Sequence, residues 1–324
     1  MGDAPFVVPP RAEATPTGGL PQGLALHGLA FDACGPDNRL LAHPQGTAVY
    51  VDNASVPARK PVTVPGLRAM KAQGRKIVML TAYDASFAWQ LEAAGVDVAL
   101  VGDSLGMVVQ GHRSTLPVTL DDMAYHTRAV ARGLTSTLLI ADLPFMADRD
   151  VAHSLEAAAR LVGEAGAAAV KIEGAAPHIL DAIAMLTARA VPVCAHLGLT
   201  PQSVHKFGGF RIQGREQEAA DRVLSEALAV QSAGADLLVL EGVPSALGDR
   251  VTRAVQIPVI GIGAGPHCDG QVLVIYDMLG ITPGKRPKFS KDFLAGRNAV
   301  GEAITAFAED VRSGAFPAPE HCFD

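Results

Sequence analysis

VALVGD, residues 98–103, runs through apolar residues without polar alternation and stops at a glycine and an acid. The same design recurs in LLIADLP (138–144), AAVKIEG (168–174), VPVCAHLG (191–198) and LLVLEG (237–242). Unalternated runs of Val, Ile, Leu and Ala are what parallel strands look like when both faces are covered. KIVMLTA (76–82), IPVIGIGAG (257–265) and QVLVIYDMLG (271–280) bring the set to eight, and helix-length stretches separate them from about Lys76 to Gly280. Eight strand–helix units with right-handed connections close into an α/β fold, a (β/α)8 TIM barrel, with its catalytic groups at the C-terminal strand ends. The rival is an open doubly wound sheet. It wants a GxGxxG turn after the first strand, and TAYDASFA (81–88) offers none.

A chain of 324 residues, 49% of them hydrophobic, suffices for a barrel of roughly 250 residues and an appendage. A formal charge of -6 and the lack of any Lys/Arg block argue against a nucleic-acid partner, because phosphate binding needs clustered cations. Small molecules are the expected ligands. No apolar stretch reaches the roughly 18 residues of a membrane span, and MGDAPFVVPP lacks the basic and apolar regions of a signal peptide. No membrane partner is expected, and a cytoplasmic location is. Cys34, Cys194, Cys268 and Cys322 are far apart and form no CxxC pair, so neither a zinc site nor a disulfide framework is suggested.

Residues 1–60 are dense in Pro and Gly and lack helical periodicity. They read as an N-terminal extension, poorly structured or holding a small hairpin in RLLAHPQGTAVYVDNAS (39–55), while 61–324 form the barrel domain with a closing helix. Helices are expected at VPGLRAMKAQG (64–74), from Asp84 onward, after a cap near Thr119 and Asp121, and through SLEAAARLVGEAG (154–166), HILDAIAMLTARA (178–190) and SALGDRVTRAV (245–255). The last is expected over DFLAGRNAVGEAITAFAEDVRSG (292–314), packed outside the ring. Two long loops remain, SLGMVVQGHRSTLPVT (104–119) and TPQSVHKFGGFRIQGR (200–215); loops of such length in a compact domain are usually lids or binding loops.

Asp103 and Asp142 end neighbouring strands, where they either share one hard cation such as magnesium or cap the turns that follow. Glu241 stands between Leu240 and Gly242; apolar surroundings would raise its pKa and suit it to accept a proton, unless Lys171 pairs with it. Lys171 and Glu173 are two apart in one strand and share a face: the barrel interior makes both functional, the helix side makes them a buried ion pair. His196 has no second histidine at i+2 or i+4, so it reads as a hydrogen-bonding partner of substrate, or as a satisfied core histidine, rather than a metal ligand. GIGAGPHCDG (261–270) would let backbone amides approach a substrate or phosphate.

The blocks VGDSLGM, QGHRSTLPVT, ADLPFM, VKIEG, HLGLTPQS, FGGFRIQGR, LLVLEG and IPVIGIGAG, together with a closing EHCF, follow one another in an order that resembles the ketopantoate hydroxymethyltransferase (3-methyl-2-oxobutanoate hydroxymethyltransferase) family from about Thr63 onward. The resemblance implies a barrel of the phosphoenolpyruvate mutase/isocitrate lyase type, assembled as a homo-oligomer, typically a decamer. It implies transfer of the one-carbon unit of 5,10-methylenetetrahydrofolate to 3-methyl-2-oxobutanoate, giving 2-dehydropantoate and tetrahydrofolate in pantothenate and coenzyme A biosynthesis, through a metal-stabilised enolate. It places one Mg2+ per subunit on Asp103 and Asp142 with Glu173 near the metal's water shell, substrate contacts on Ser104, Lys171 and His196, and the base on Glu241. The first 60 or so residues have no counterpart in it.

Two other classes compete. A magnesium-dependent 2-oxo-acid lyase or aldolase on the same barrel commonly carries a reactive loop cysteine of the KKCGH type, which is missing here. An inactive ring-forming scaffold would have lost an acid, yet Asp103, Asp142 and Glu241 are all present.

Overall fold

The computed structural model describes residues 59–324; nearly all of the N-terminal extension, including the 39–55 hairpin and Cys34, lies outside the described residues. Eight strands, β1 (Ile77–Thr81), β2 (Val98–Val101), β3 (Leu138–Asp142), β4 (Ala169–Glu173), β5 (Val193–Gly198), β6 (Leu237–Glu241), β7 (Val259–Ile262) and β8 (Gly270–Leu273), each pair in parallel with the next. β8 pairs with β1 through Ile77↔Gly270 and closes the barrel.

The strands lack alternation because they are covered twice. Ile77, Leu100, Ile140, Leu237 and Ile260 fill the inside, while Val78, Ala99, Ala141, Leu238 and Val259 meet the helices outside. The inward set is apolar in its lower layers and becomes polar at the top, with Thr81, Asp142, Lys171 and His196 all buried there. The buried polar side chains of the interior therefore gather at the end carrying the C-termini of the strands, where barrels of this kind hold their chemistry.

Local signals set the helices. Asp84 caps Ala85–Ala93 by accepting from the Phe87 N–H, and Thr119 forms a reciprocal capping box with Asp122 at Leu120–Ala131. The helix expected from Ser154 begins earlier, at Val151, because Asp150 accepts from the His153 N–H, and it continues as a wider turn over Ala159–Glu164. Gln217–Ser232 fills the space between β5 and β6, a stretch that the periodicity reading assigns to no element.

The last helix corrects the sequence reading. It runs Val300–Ser313, not from Asp292: the Asp292 carboxylate accepts from the Leu294 and Ala295 N–H groups, and Gly296 sits at φ 76°. A local Asx turn captures the amides that a helix would use. The eighth apolar run also divides, into β8 and a short helix, Ile275–Met278, whose first N–H is taken by Thr81 Oγ1 at 2.9 Å.

Candidate active site

The register brings the strand-end acids and bases to one mouth. Asp142 pairs with Lys171, Glu173 with His196, and Gly198 with Glu241 across neighbouring strands. Side chains two apart alternate back to one face, so Lys171 and Glu173 both point inward with Asp142, His196 and Glu241. The interior reading of the Lys171–Glu173 pair is the one observed. Asp103 follows β2, just beyond Gly102, and its backbone N–H donates to Asp142 Oδ2 at 3.0 Å.

Lys171 Nζ lies 3.2 Å from Asp142 Oδ2 and 3.9 Å from Glu173 Oε1, and 3.2 Å from His196 Nδ1. Its pairing is thus with β3 and its own strand, not with Glu241. Burial works against the ammonium, but Asp142, Glu173 and Asp103 outweigh it and hold the pKa above the usual lysine value. An ammonium can only donate, which makes His196 Nδ1 its acceptor and leaves the ring proton on Nε2. Nε2 sits 3.2 Å from Glu241 Oε2 but is not aligned as a hydrogen bond. Glu173 Oε1 approaches the same Nδ1 at 3.2 Å, a contact that has a donor only when the Glu173 carboxyl carries its proton. Burial first, and the Lys171 charge second, push the imidazole down to about 4, so the ring is neutral near pH 7.

Glu241 departs from the apolar surroundings expected of it, since His196 is its neighbour. Its backbone is fixed from β5: the Leu199 N–H donates to the Glu241 carbonyl at 2.8 Å, and Gly198, at φ 88°, passes so close that a β-carbon would lie 2.2 Å from that oxygen. Ser104 Oγ is 2.8 Å from the Tyr83 hydroxyl, a buried phenol that the sequence did not flag. Gln202 is a second such residue, donating from Nε2 to Asp103 Oδ2 at 2.9 Å. Thr115, 1% exposed, keeps a buried hydroxyl with no partner among the described residues.

The acids are crowded out of water. Burial, and then the negative Glu173, lift Asp103 above the ordinary carboxylate range, and burial lifts Asp142 despite Lys171. Glu173 is pushed up to about 7, again by burial first. Asp142 Oδ1 is buried without a partner among the described residues. Two adjacent carboxylates, one with an orphaned oxygen, are the residues here that could hold a hard cation. No group of three or more His, Cys, Asp or Glu side chains among the described residues meets as a ligand cluster. Glu173 is turned instead toward His196 and the Gln202 N–H, which reaches its Oε2 at 3.1 Å.

The glycines after β7 lie where no side chain fits. A β-carbon on Gly263 would strike Phe289 and Phe323, and one on Gly265 would strike Ser245. A cavity of about 630 Å³ opens beside Glu173, walled by the 200–215 loop and by the helices Pro177–Thr187 and Gln217–Ser232. No helix among the described residues is long and apolar enough to cross a membrane.

Comparison with known proteins agrees with this fold. Solved structures share the fold at low identity: a phosphonopyruvate hydrolase superposes with a TM-score of 0.53 at 17% identity, covering 80% of this chain and 99% of its own. A 2,3-dimethylmalate lyase, a member of the PEP mutase/isocitrate lyase superfamily, gives 0.51 at 18%, covering 67% and 82%. Sequence relatives are far nearer. The 3-methyl-2-oxobutanoate hydroxymethyltransferase of Alkalilimnicola ehrlichii is 55% identical over 265 residues, 82% of this chain and 95% of the relative. That of Xanthomonas euvesicatoria pv. vesicatoria is 57% identical over 265 residues, 82% and 97%. The family model described as ketopantoate hydroxymethyltransferase matches residues 61–319, and with a closed barrel that gathers the acids of all the matching strand ends, the chain belongs to the ketopantoate hydroxymethyltransferase family.

Proposed function

We propose that the chain makes 2-dehydropantoate from 3-methyl-2-oxobutanoate, taking the one-carbon unit of 5,10-methylenetetrahydrofolate and releasing tetrahydrofolate, in pantothenate and coenzyme A biosynthesis. The observation that carries the site assignment is the buried acid pair Asp103 and Asp142, with its orphaned oxygen, set beside the Lys171 cation. Asp103 and Asp142 would hold one Mg2+ per subunit, with Glu173 within reach of its water shell. When bound, the cation draws electrons from the ketone and carboxylate oxygens of the oxo acid, which is worth several kcal/mol.

The chain's own groups do the rest. Lys171 has three N–H donors; two face Asp142 and His196, and the third is left for the substrate carboxylate. Ser104, held by Tyr83, donates to a substrate oxygen. Glu241 accepts the proton from C3 of the oxo acid, with His196 Nε2 lying 3.2 Å from its Oε2. The electron pair left at C3 forms the bond to the folate methylene carbon as that carbon's bond to one folate nitrogen breaks. Water then displaces the other nitrogen and supplies the hydroxyl oxygen, and the two nitrogens take one proton from Glu241 and one from that water, so that tetrahydrofolate leaves. The cavity beside Glu173 is room for the second substrate. Assembly as a homo-oligomer, a decamer by resemblance, and action in the cytoplasm belong to the same proposal.

Proton–deuteron exchange at C3, followed by NMR with and without Mg2+ before adding the folate, tests it. Mg2+-dependent exchange that then yields 2-dehydropantoate is the expected result. Glu241→Gln should slow exchange by about 100-fold or more, with substrate binding retained; unchanged exchange removes Glu241 from its role. Exchange without product would select a 2-oxo-acid lyase or aldolase instead.

A further inference from the structure

Gln202 stands on the loop after β5, yet it touches groups at the ends of three other strands. Its Nε2 donates to Asp103 Oδ2 after β2 at 2.9 Å and to the Leu143 carbonyl after β3 at 3.0 Å, while its backbone N–H donates to Glu173 Oε2 on β4 at 3.1 Å. An amide nitrogen has two hydrogens, and both are spent here. Turning the amide over would set its oxygen against two acceptors, so its orientation is fixed by the groups around it. Among the described residues Gln202 is the side chain that donates a geometrically sound hydrogen bond to the Asp103 carboxylate.

We propose that Gln202 is a positioning residue for the cation site. It pins one oxygen of Asp103, so that the carboxylate's remaining lone pairs and the partnerless Asp142 Oδ1 address the same ion. Carboxylates that ligate metals are themselves held by hydrogen bonds, and those partners set the direction of the ligand. The Leu143 contact adds the neighbour of Asp142 to the same clamp. Gln202 therefore ties Asp103 and the residue that follows Asp142 to one amide, and the loop that carries it also walls the large cavity. This inference rests on the assignment of Asp103 and Asp142 as cation ligands.

Gln202→Met keeps the length and bulk of the side chain and removes both donors, and its backbone N–H still reaches Glu173. Mn2+ titration of the protein without substrate, read by electron paramagnetic resonance, should show a Kd raised by about 10- to 100-fold. The C3 exchange rate should return toward the wild-type level at saturating Mg2+, so that the half-saturating metal concentration moves and the limiting rate does not. A slower limiting rate with unchanged Mn2+ affinity would mean that Gln202 merely anchors its loop, and would overturn the proposal. Should the Met variant fold poorly, Gln202→Asn, polar but one methylene too short to reach Asp103, should show the same weakening; wild-type affinity in it overturns the proposal equally. A wild-type protein that binds no Mn2+ would remove the cation assignment and this role with it, whereas tight binding by the variants removes this role alone.

Discussion

Gly198 joins backbone geometry to the proposed base. At φ 88° it occupies a region that side chains rarely adopt, and a β-carbon there meets the Glu241 carbonyl oxygen, an atom of a paired strand that cannot step aside. Gly198→Ala is expected to cost about 1–3 kcal/mol of stability from strain. Displacement of Glu241 by even 1 Å should also cost about 100-fold in C3 exchange. Thermal unfolding and NMR exchange, measured together, check both; wild-type exchange in the variant would show that Glu241 tolerates the shift. The charged residues were legible because an acid ending an apolar strand has no packing purpose. Their partners were not. Whether His196 lies between Lys171 and Glu241, or whether Gln202 and Tyr83 turn inward, depends on contacts across the barrel mouth that no spacing along the chain encodes.

Among the elements, the helix starts capped by Asp84 and Thr119 were legible, whereas the one capped by Asp150 was read too late, from Ser154. The last helix was misjudged at its start because its apolar spacing continues backward into a turn that Asp292 closes locally. Joints between elements escape periodicity altogether, and Glu92 makes one. Its carboxylate, on the helix Ala85–Ala93, accepts from the N–H groups of Thr135, Ser136 and Thr137 just before β3, and from the Ser136 hydroxyl, while Arg59 bonds Ser136 Oγ and the Gly95 carbonyl alongside. Burial opposes the charge, but the hydrogen bonds prevail and hold the pKa down to about 2 from 4.5. The stabilisation is therefore complete above the unfolded value and fades as pH falls from 4.5 toward 2. Glu92→Gln should lose about 1–3 kcal/mol at neutral pH and unfold less steeply with acid over that window. Urea unfolding at a series of pH values reads both effects, and parallel acid profiles for the two proteins would dismiss this joint.

On the scale of the whole molecule, eight apolar runs were enough to specify a closed ring, because parallel strands buried on both faces have few other arrangements. The 200–215 loop stood out by its length and does line the cavity beside Glu173, though its short turns, Pro201–Ser203 and Val204–Phe207, were not legible. We propose that residues 61–324 are the catalytic unit: a chain lacking residues 1–60 should turn over at the full-length rate, and a soluble but inactive truncation would assign the extension to the site. The crowded acids at the barrel mouth also have a thermodynamic side. Burial lifts Asp103, Asp142 and Glu173 above ordinary carboxylates, which by itself favours the unfolded chain near neutral pH, while the same acids hold the Lys171 ammonium charged and offset part of that cost. A ligand bound only by the folded form restores about 2.7 kcal/mol at a concentration a hundred times its Kd. An occupied barrel mouth is therefore expected to melt at a higher temperature than an empty one, which thermal unfolding with and without Mg2+ would read.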